Sequence, residues 1–254
     1  MSWNPEQYHK FKADRLAPFN DLFSLIKVRE GLSVLDLGCG TGELAVVLSE
    51  KLPMSRVTGV DSSPQMLEKA MAHSSGRVEF KLGDVASLSG EWDLIFSHAV
   101  LHWIEDHPAL IPCILEHVKP GGQLAVQVPS NHYHPSHTCI IAAASEEPFK
   151  AALGGWVRHS PVLEIDQYAR ILHGCGTTEF TVMEKVYPTY LPEAGAIAEW
   201  TKGTTLVPYF ERLPLELHEQ FVERYRELLR EALPRGPILF TFRRILFAAL
   251  KQAE

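Results

Sequence analysis

The chain has 254 residues, 46% of them hydrophobic and 22% charged, which is typical of an ordinary globular protein and excludes a disordered or fibrous one. Its 24 basic and 31 acidic side chains leave a formal net charge of -7, which repels polyanions and argues against nucleic acid as a partner. No apolar segment is long enough to cross a bilayer and the N-terminus is polar, so we expect a cytoplasmic protein with no membrane partner.

Strand-like and helix-like segments alternate along the first half of the chain. Five short apolar runs rich in β-branched residues predict strands buried on both faces, namely Ser33–Gly38, Arg56–Asp61, Arg77–Asp84, Trp92–Ser97 and Gly122–Pro129. The segments between them carry apolar residues near the helical period. Such alternation predicts an α/β fold, in which a parallel sheet is covered by helices on both faces.

The alternation stops after Pro129. Residues of about 130–160 contain a loop and a helix that leads into no strand, and residues of about 190–236 contain an amphipathic helix with a charged outer face. We expect these two segments to form a helical cap on a cofactor-binding core of about residues 30–129, within one domain that spans residues 1–254. The apolar run over residues 238–250 is too short for a membrane span and predicts a final strand.

Cysteine and histidine spacing gives little support for a metal site. No CxxC pair occurs among the four cysteines, which argues against a disulfide framework and against structural zinc: Cys39, Cys113, Cys139 and Cys175. Three histidines share one loop without a nearby carboxylate: His132, His134 and His137. We therefore predict no bound metal.

The first predicted strand ends in the glycine-rich sequence DLGCGTG. Its glycines alternate along the turn, at Gly38, Gly40 and Gly42. No Lys-Ser or Lys-Thr follows, as a P-loop requires, and the spacing is one residue shorter than the GxGxxG of nicotinamide-binding proteins. Glu43 beside the turn opposes a pyrophosphate, whereas Asp61 at the end of the second strand can accept both hydroxyls of a ribose. The pattern favours a nucleoside ligand without phosphates.

Several motifs together resemble the class I S-adenosylmethionine-dependent methyltransferases. They are DLGCGTG, VTGVDSSPQML, the GD after the third strand, and DLIFSHAVLHW. A closer resemblance, to the trans-aconitate 2-methyltransferase family, extends over nearly the whole chain through WNPEQY, AVQVP, PSH and the late WTKGTTLVPY. It implies a Rossmann-like fold with a seven-stranded, mostly parallel sheet and an antiparallel last strand. It also implies S-adenosyl-L-methionine as cofactor and S-adenosyl-L-homocysteine as product.

The resemblance also implies a set of cofactor-binding residues. The glycines approach the methionine and ribose, Asp61 binds the ribose hydroxyls, Asp84 with Val85 meets the adenine, and Ser97 with His98 lies near the sulfonium. The full set is Asp36, Gly38, Gly40, Gly42, Asp61, Ser62, Asp84, Val85, Ser97 and Tyr8, the last on an N-terminal segment that folds over the cofactor. Each has a structural alternative: Asp61 could cap a helix, Asp84 a turn, and Tyr8 could pack against a helix.

The favoured reaction is O-methylation of a carboxylate on a small molecule by a monomeric enzyme. A carboxylate is ionised at neutral pH, so it needs no general base. The alternative acceptor is a hydroxyl or amine of an aromatic or polyketide-like metabolite, which would need a histidine base, and His98 and His102 are the candidate catalytic residues. The candidate acceptor-binding residues are His137, Trp156, Trp200 and Tyr209. A non-catalytic cofactor-binding scaffold and a nicotinamide oxidoreductase remain further alternatives.

One position departs from the pattern expected of the family. Val207 stands where we expect an arginine that would pair with a polycarboxylate. This predicts an acceptor less charged than trans-aconitate, unless another cation replaces the arginine. The candidate replacements are Arg158, Arg170, Lys202, Arg212 and Arg243.

Overall fold

A computed structural model describes residues 12–253, apart from the side chains of residues 12–15 and of Ala86. Its helices are α1 (Lys12–Phe23), α2 (Glu43–Lys51), α3 (Pro64–Ala70), α4 (His107–Glu116), α5 (Pro135–Ala144), α6 (Phe149–Ala152), α7 (Ile165–Gly174), α8 (Ala196–Lys202), α9 (Val207–Phe210) and α10 (His218–Ala232). The strands are β1 (Ser33–Leu37), β2 (Arg56–Asp61), β3 (Val78–Leu82), β4 (Trp92–His98), β5 (Val118–Pro129), β6 (Thr177–Leu191) and β7 (Ile238–Lys251). No helix in this part of the chain is long and apolar enough to cross a membrane.

The strands form one seven-stranded sheet in the order β3-β2-β1-β4-β5-β7-β6. The pairs β1·β2, β1·β4, β2·β3 and β4·β5 are parallel, and β5·β7 is antiparallel. The predicted Rossmann-like fold and its antiparallel last strand are therefore confirmed.

Two strands differ from the prediction. β3 is not buried on both faces, because it lies at the sheet edge, where Val78 and Phe80 point inward while Glu79 and Leu82 are exposed. β5 begins at Val118 instead of Gly122, because a shift in its register with β4 between Trp92 and Leu94 lets the earlier residues pair.

The described chain divides into two compact units. We call residues 13–129, 161–185 and 244–253 the sheet unit, and residues 12, 130–160 and 186–243 the helical unit. The segments expected to form a cap, 130–160 and 190–236, lie in the helical unit.

Both faces of the sheet unit are packed with apolar side chains. On one face, which we call the α1 face, Phe19 of α1 contacts a cluster that includes Val34, Phe96, Ala125 and Leu246. The opposite face contributes an adjacent residue of each strand, Leu35, Ile95, Val126 and Phe247, packed on α4 and α7. This alternation follows from the two-residue period of a strand.

The helical unit has a core of its own around aromatic rings. Tyr209 stacks on Phe221 with ring centroids 5.5 Å apart, and Phe221 meets Phe149 at 5.1 Å. α10 buries Phe221, Val222, Tyr225 and Leu229, while its arginines pair with glutamates: Arg224 with Glu146, Arg226 with Glu199 and Arg230 with Glu193. As the sequence pattern predicts, the helix is amphipathic.

His107 has a structural role in the sheet unit. It is buried, its Nε2 donates to the carbonyl of Leu101 at 2.9 Å, and its Nδ1 accepts from the hydroxyl of Tyr168 at 2.6 Å. Burial lowers the pKa of His107, which keeps the ring neutral in this arrangement. These bonds join the start of α4, the turn at Leu101 and α7.

Tyr168→Phe is expected to lower the free energy of unfolding by about 1–3 kcal/mol, because it leaves His107 Nδ1 buried without a partner. Urea unfolding of the purified protein would measure this. Tyr190→Phe is the matched control, since Tyr190 is 82% exposed and its hydroxyl faces water. Equal midpoints for the two variants would contradict the structural role of the His107–Tyr168 bond.

Candidate active site

The predicted cofactor residues follow the ends of parallel strands. β1, β2, β3 and β4 run in the same direction, so their carboxyl ends meet at one edge of the sheet. In open α/β sheets this edge is where ligands bind. The glycine turn follows β1, Asp61 ends β2, Asp84 follows β3 and His98 ends β4.

The glycine turn is fixed to the end of β2. The N–H groups of Gly38 and Cys39 both donate to the carbonyl of Val60, at 2.7 and 3.0 Å. Gly38, Gly40 and Gly42 all have positive φ, at 79°, 54° and 81°. A Cβ on Gly38 would lie 2.2 Å from Val100, and one on Gly42 would lie 2.6 Å from Phe80.

Gly40 differs from its neighbours in the turn. A Cβ on Gly40 would meet no described heavy atom within 4 Å. Packing therefore explains the glycines at 38 and 42, whereas at Gly40 the open space lets a ligand approach the backbone closely.

Asp36 is a buried carboxyl with an unused acceptor. It is 4% exposed, and its Oδ2 has no hydrogen-bond partner among the described residues. Burial, followed by the negative charge of Asp61, raises the pKa of Asp36 to about 7. A cationic donor such as an ammonium group would satisfy the oxygen and stabilise its charge.

The carboxylate of Asp61 binds the backbone of the glycine turn, and a different residue caps α3. Its Oδ2 accepts from the N–H of Gly40 and its Oδ1 from the N–H of Ser63, both at 2.9 Å. Ser63 is the N-cap of α3, because its hydroxyl accepts from the N–H of Met66. The half-exposed Asp61 retains lone pairs for ribose hydroxyls, and Ser62 beside it is exposed.

Asp84 and Val85 have different environments. Asp84 is exposed, and its backbone carbonyl accepts from the N–H of Ser87 at 3.0 Å in the turn after β3. The side chain of Val85 is buried in the apolar cluster opposite the α1 face. Only its backbone could contact a ligand. Tyr8 lies outside the described residues.

Ser97, which the resemblance places near the sulfonium, has a structural hydrogen bond. It is fully buried, and its hydroxyl donates to the carbonyl of Leu37 at 3.0 Å, which fixes the end of β4 to the end of β1. The next residue, His98, is buried with its ring 6.1 Å from that of Phe19. His102 lies in a short turn after β4, 4.8 Å from the ring of Trp103.

Two of the candidate acceptor residues in the helical unit pack around aromatic rings. Tyr209 is 1% exposed and its hydroxyl accepts from the N–H of Arg158 at 3.1 Å, so it packs in the core of this unit. Trp156 is half-buried between the Tyr209 ring at 5.1 Å and the guanidinium of Arg212 at 3.9 Å.

The remaining two candidates, Trp200 and His137, are half-buried like Trp156. Trp200 lies beside the rings of Phe240 and Phe242, at 5.8 and 5.9 Å. His137 Nδ1 is 3.0 Å from the hydroxyl of Ser136. Burial, with the positive charge of Arg158 and of neighbouring histidines, lowers the pKa of His137 to about 3. His137 is therefore neutral at neutral pH.

Most of the candidate replacements for the expected arginine are engaged elsewhere. Val207 begins α9. Arg170 pairs with Asp166 on the surface, Lys202 pairs with Glu199, and Arg212 covers Trp156. Arg243 is exposed. Arg158 is close enough to influence the pKa of His137.

The described part of the chain contains no group of three or more His, Cys, Asp or Glu side chains placed to hold a metal ion. Its four cysteines are free thiols.

Comparison with known proteins identifies the family. Residues 8–179 match the model of a methyltransferase domain. The trans-aconitate 2-methyltransferase of Deinococcus radiodurans is 46% identical over 257 residues, which cover 99% of both chains. The one from Streptomyces avermitilis is 36% identical over 99% of this chain and 98% of its own length. The chain belongs to the trans-aconitate 2-methyltransferase family. It is a class I S-adenosylmethionine-dependent methyltransferase.

Solved structures agree with the fold. The YcgJ protein of Bacillus subtilis superposes with a TM-score of 0.62 at 17% identity, over 94% of this chain and 99% of its own. A phosphoethanolamine N-methyltransferase of Haemonchus contortus in complex with S-adenosyl-L-methionine has a TM-score of 0.56 at 18% identity, over 93% of this chain and 52% of its own. Both likenesses are in fold alone.

The site fits the cofactor of this methyltransferase family. S-adenosylmethionine carries an ammonium group and a cationic sulfur but no phosphate. The unused Oδ2 of buried Asp36 could accept from the ammonium, the free space at Gly40 could admit the ligand, and Asp61 could accept from the ribose.

Gly40→Ala is expected to weaken binding of S-adenosylhomocysteine to this methyltransferase by about tenfold or more, because the added methyl occupies the ligand's space. Its unfolding free energy should fall by only about 1–2 kcal/mol, the cost of a left-handed alanine. Gly31→Ala is the matched control, since Gly31 has a φ of 71° and open space but lies before β1. Titration calorimetry and urea unfolding measure both quantities. Equal affinities for the two variants would contradict a ligand at Gly40.

Two polar residues of the sheet unit that the predicted site did not include interrupt apolar runs. Gln127 stands within the apolar stretch of β5, and Arg244 stands within β7. Both are buried. A polar residue at an inward position of a strand is the signal that could have identified them.

Proposed function

We propose that the protein transfers a methyl group from S-adenosylmethionine to a carboxylate of a small polycarboxylic acid such as trans-aconitate. The observation that carries this proposal is the 46% identity, over 99% of both chains, to a protein named trans-aconitate 2-methyltransferase.

The proposed cofactor roles follow the site described above. Asp36 binds the ammonium end, Gly38, Gly40 and Gly42 let the backbone approach, and Asp61 with Ser62 receives the ribose. Asp84 and the backbone of Val85 meet the adenine. The buried hydroxyl of Ser97, through its hydrogen bond to Leu37, fixes the end of β4 beside the end of β1.

Methyl transfer to a carboxylate does not require an acid or a base from the protein. When bound, S-adenosylmethionine supplies an electrophilic methyl group on a cationic sulfur, which an ionised carboxylate oxygen can accept without moving a proton. The chain's residues then need to bind the reactants in line and exclude water.

The environment of His137 agrees with this proposal. Its lowered pKa, about 3, makes it a weak base. A carboxylate acceptor needs no such base.

A second candidate is methylation of a hydroxyl or amine on an aromatic metabolite. The half-buried Trp156 and Trp200 favour it, because tryptophan rings pack well on aromatic ligands. His98 or His102 would then act as the base.

The first experiment is incubation of the purified protein with methyl-labelled S-adenosylmethionine and a panel that holds trans-aconitate, crotonate, phenols and amines. We expect base-labile label on trans-aconitate, as for an ester. Base-stable label on a phenol or amine would replace the proposal with the second candidate, and His98→Ala and His102→Ala should then lose about 10²–10⁴ in rate. Binding of S-adenosylhomocysteine without any transfer would favour a non-catalytic scaffold.

We further propose that the protein acts on this small molecule as a cytoplasmic monomer, without nucleic acid. The net charge of -7 supports the last point, because it disfavours contact with a polyanion.

A further inference from the structure

The chain turns sharply where β4 ends. Ala99 has a φ of 59°, a left-handed conformation that is uncommon for alanine, and its N–H donates to the carbonyl of Gln127 at 2.9 Å. The N–H of Trp103 then donates to the carbonyl of Val100 at 3.0 Å. We call residues 99–103 the β4 turn. A strained residue persists where its surroundings require one geometry, and such residues cluster at functional sites.

The β4 turn places Val100 against the glycine turn. A Cβ on Gly38 would lie 2.2 Å from Cγ2, 2.5 Å from Cγ1 and 2.8 Å from Cβ of Val100. The isopropyl group therefore fills the space beside the Cα of Gly38, and only a glycine fits opposite it. Both residues belong to the sheet unit.

Val100 is itself held in place. Its β-branched side chain has few rotamers, and it is half-buried against the apolar cluster opposite the α1 face. The next residue, Leu101, is fully buried, and its carbonyl accepts from His107 Nε2 at 2.9 Å. Since Tyr168 in turn donates to His107, this buried pair fixes the backbone beside Val100.

Hydrogen bonds from β2 support the other side of the glycine turn. The carbonyl of Val60 and the carboxylate of Asp61 both accept from N–H groups of the turn. Because β1 lies between β2 and β4, these bonds hold the turn from one side and Val100 holds it from the other. Without the isopropyl group the turn could move into the vacated space, and a shift of about 1 Å is enough to impair a site.

We propose that Val100 is a positioning residue for the cofactor. It holds the glycine turn from the β4 side, so that the backbone at Gly40 keeps the place where the cofactor approaches. This inference rests on the proposed function only in the cofactor role of Gly40, and it does not depend on the identity of the acceptor.

The test is calorimetric titration of S-adenosylhomocysteine, which needs no acceptor, into purified variants whose urea unfolding is also measured. Val100→Ala removes both γ carbons and is expected to weaken binding by about tenfold, because the glycine turn loses one of its supports. Val182→Ala is the matched control. Val182 is also half-buried against the same cluster, but it lies on β6, with β4, β5 and β7 between that strand and β1. This control should lower the urea midpoint to a similar degree and leave the affinity unchanged.

Val100→Thr separates the shape of the side chain from the stability of the protein. Threonine keeps two γ atoms in the same branched shape, so the affinity should stay close to that of the wild type. Its half-buried hydroxyl should nevertheless lower the urea midpoint. The inference is overturned if Val100→Ala binds as tightly as Val182→Ala, or if Val100→Thr loses as much affinity as Val100→Ala.

The proposed function can fail independently of this inference. A protein that transfers no methyl group to trans-aconitate, yet loses cofactor affinity in Val100→Ala, would keep Val100 as a positioning residue. If Gly40→Ala binds S-adenosylhomocysteine as tightly as Gly31→Ala, the cofactor does not approach at Gly40 and the inference is overturned.

Discussion

Asp36→Asn is expected to make the cofactor-free protein more stable at neutral pH. Because the pKa of Asp36 is raised to about 7 from 3.8, the native state retains a proton that the unfolded state releases near pH 4. The free energy of unfolding therefore falls as pH rises between these values, and remains low above pH 7. Between pH 5 and pH 8 the loss is about 2–3 kcal/mol in the wild type, at 1.36 kcal/mol per pKa unit. The Asp36→Asn variant lacks this pH-dependent loss of stability.

The same substitution should weaken cofactor binding. An ammonium group next to Asp36 favours the carboxylate, so binding of S-adenosylhomocysteine should release a proton below pH 7 and tighten up to tenfold per pH unit as pH approaches that value. Asp36→Asn should lose about 10- to 100-fold in affinity at pH 8, together with this proton release. Titration calorimetry in buffers of different ionisation enthalpy measures both the affinity and the number of protons released.

Asp93→Asn is the control for Asp36. Asp93 accepts from Ser33 and Lys119, and although burial opposes them, these bonds hold its pKa below the usual range. Its stabilising contribution is therefore present at neutral pH and lost as pH falls through its pKa. Asp93→Asn should destabilise the protein and leave cofactor affinity unchanged. An Asp36→Asn variant with wild-type affinity would show that the carboxylate does not contact the ligand.

Asp61→Ala is expected to lower cofactor affinity by about 100-fold. The carboxylate is the acceptor for the N–H groups of Gly40 and Ser63, so its removal loosens the glycine turn as well as the proposed ribose contact. Two hydrogen bonds from ribose hydroxyls to this charged acceptor would account for roughly 3 kcal/mol of the binding free energy. The unfolding free energy should also fall by about 1–3 kcal/mol, because the two backbone donors lose their partner.

Asp106→Ala separates the two effects. Asp106 is the N-cap of α4 and accepts from the N–H of Ala109, so its loss should cost about 1 kcal/mol of stability without a change in cofactor affinity. Asp61→Ala should in addition lower the pKa of Asp36, because the charge of Asp61 helps to raise it. An unchanged pH dependence of stability in Asp61→Ala would contradict this coupling.

Sequence patterns were sufficient to predict those parts of the site that are formed by residues close together in the chain. The glycine turn and Asp61 could be recognised in the sequence, because a turn between a strand and a helix needs small residues at defined spacing, and an acid at the end of the next strand lies beside it. The helix that follows is capped by Ser63 and not by Asp61, which is free to hold the turn.

Burial and long-range pairing could not be predicted in the same way. Ser97 and Tyr209 have residue types that suit a ligand site, but both hydroxyls bond to backbone groups in the interior. The pairing of Arg244 with Gln127 joins strands 117 residues apart in sequence, through an antiparallel register that local pattern does not specify.

The sequence by itself determined the alternation of strands and helices, the position of the nucleoside-binding turn and the family, because these depend on periodicity and on short motifs. Only the tertiary structure decided which polar side chains are buried, which acceptors remain unused and which pKa values shift. Those properties arise from groups that the fold brings together from distant parts of the chain, as Asp61 and burial act on Asp36.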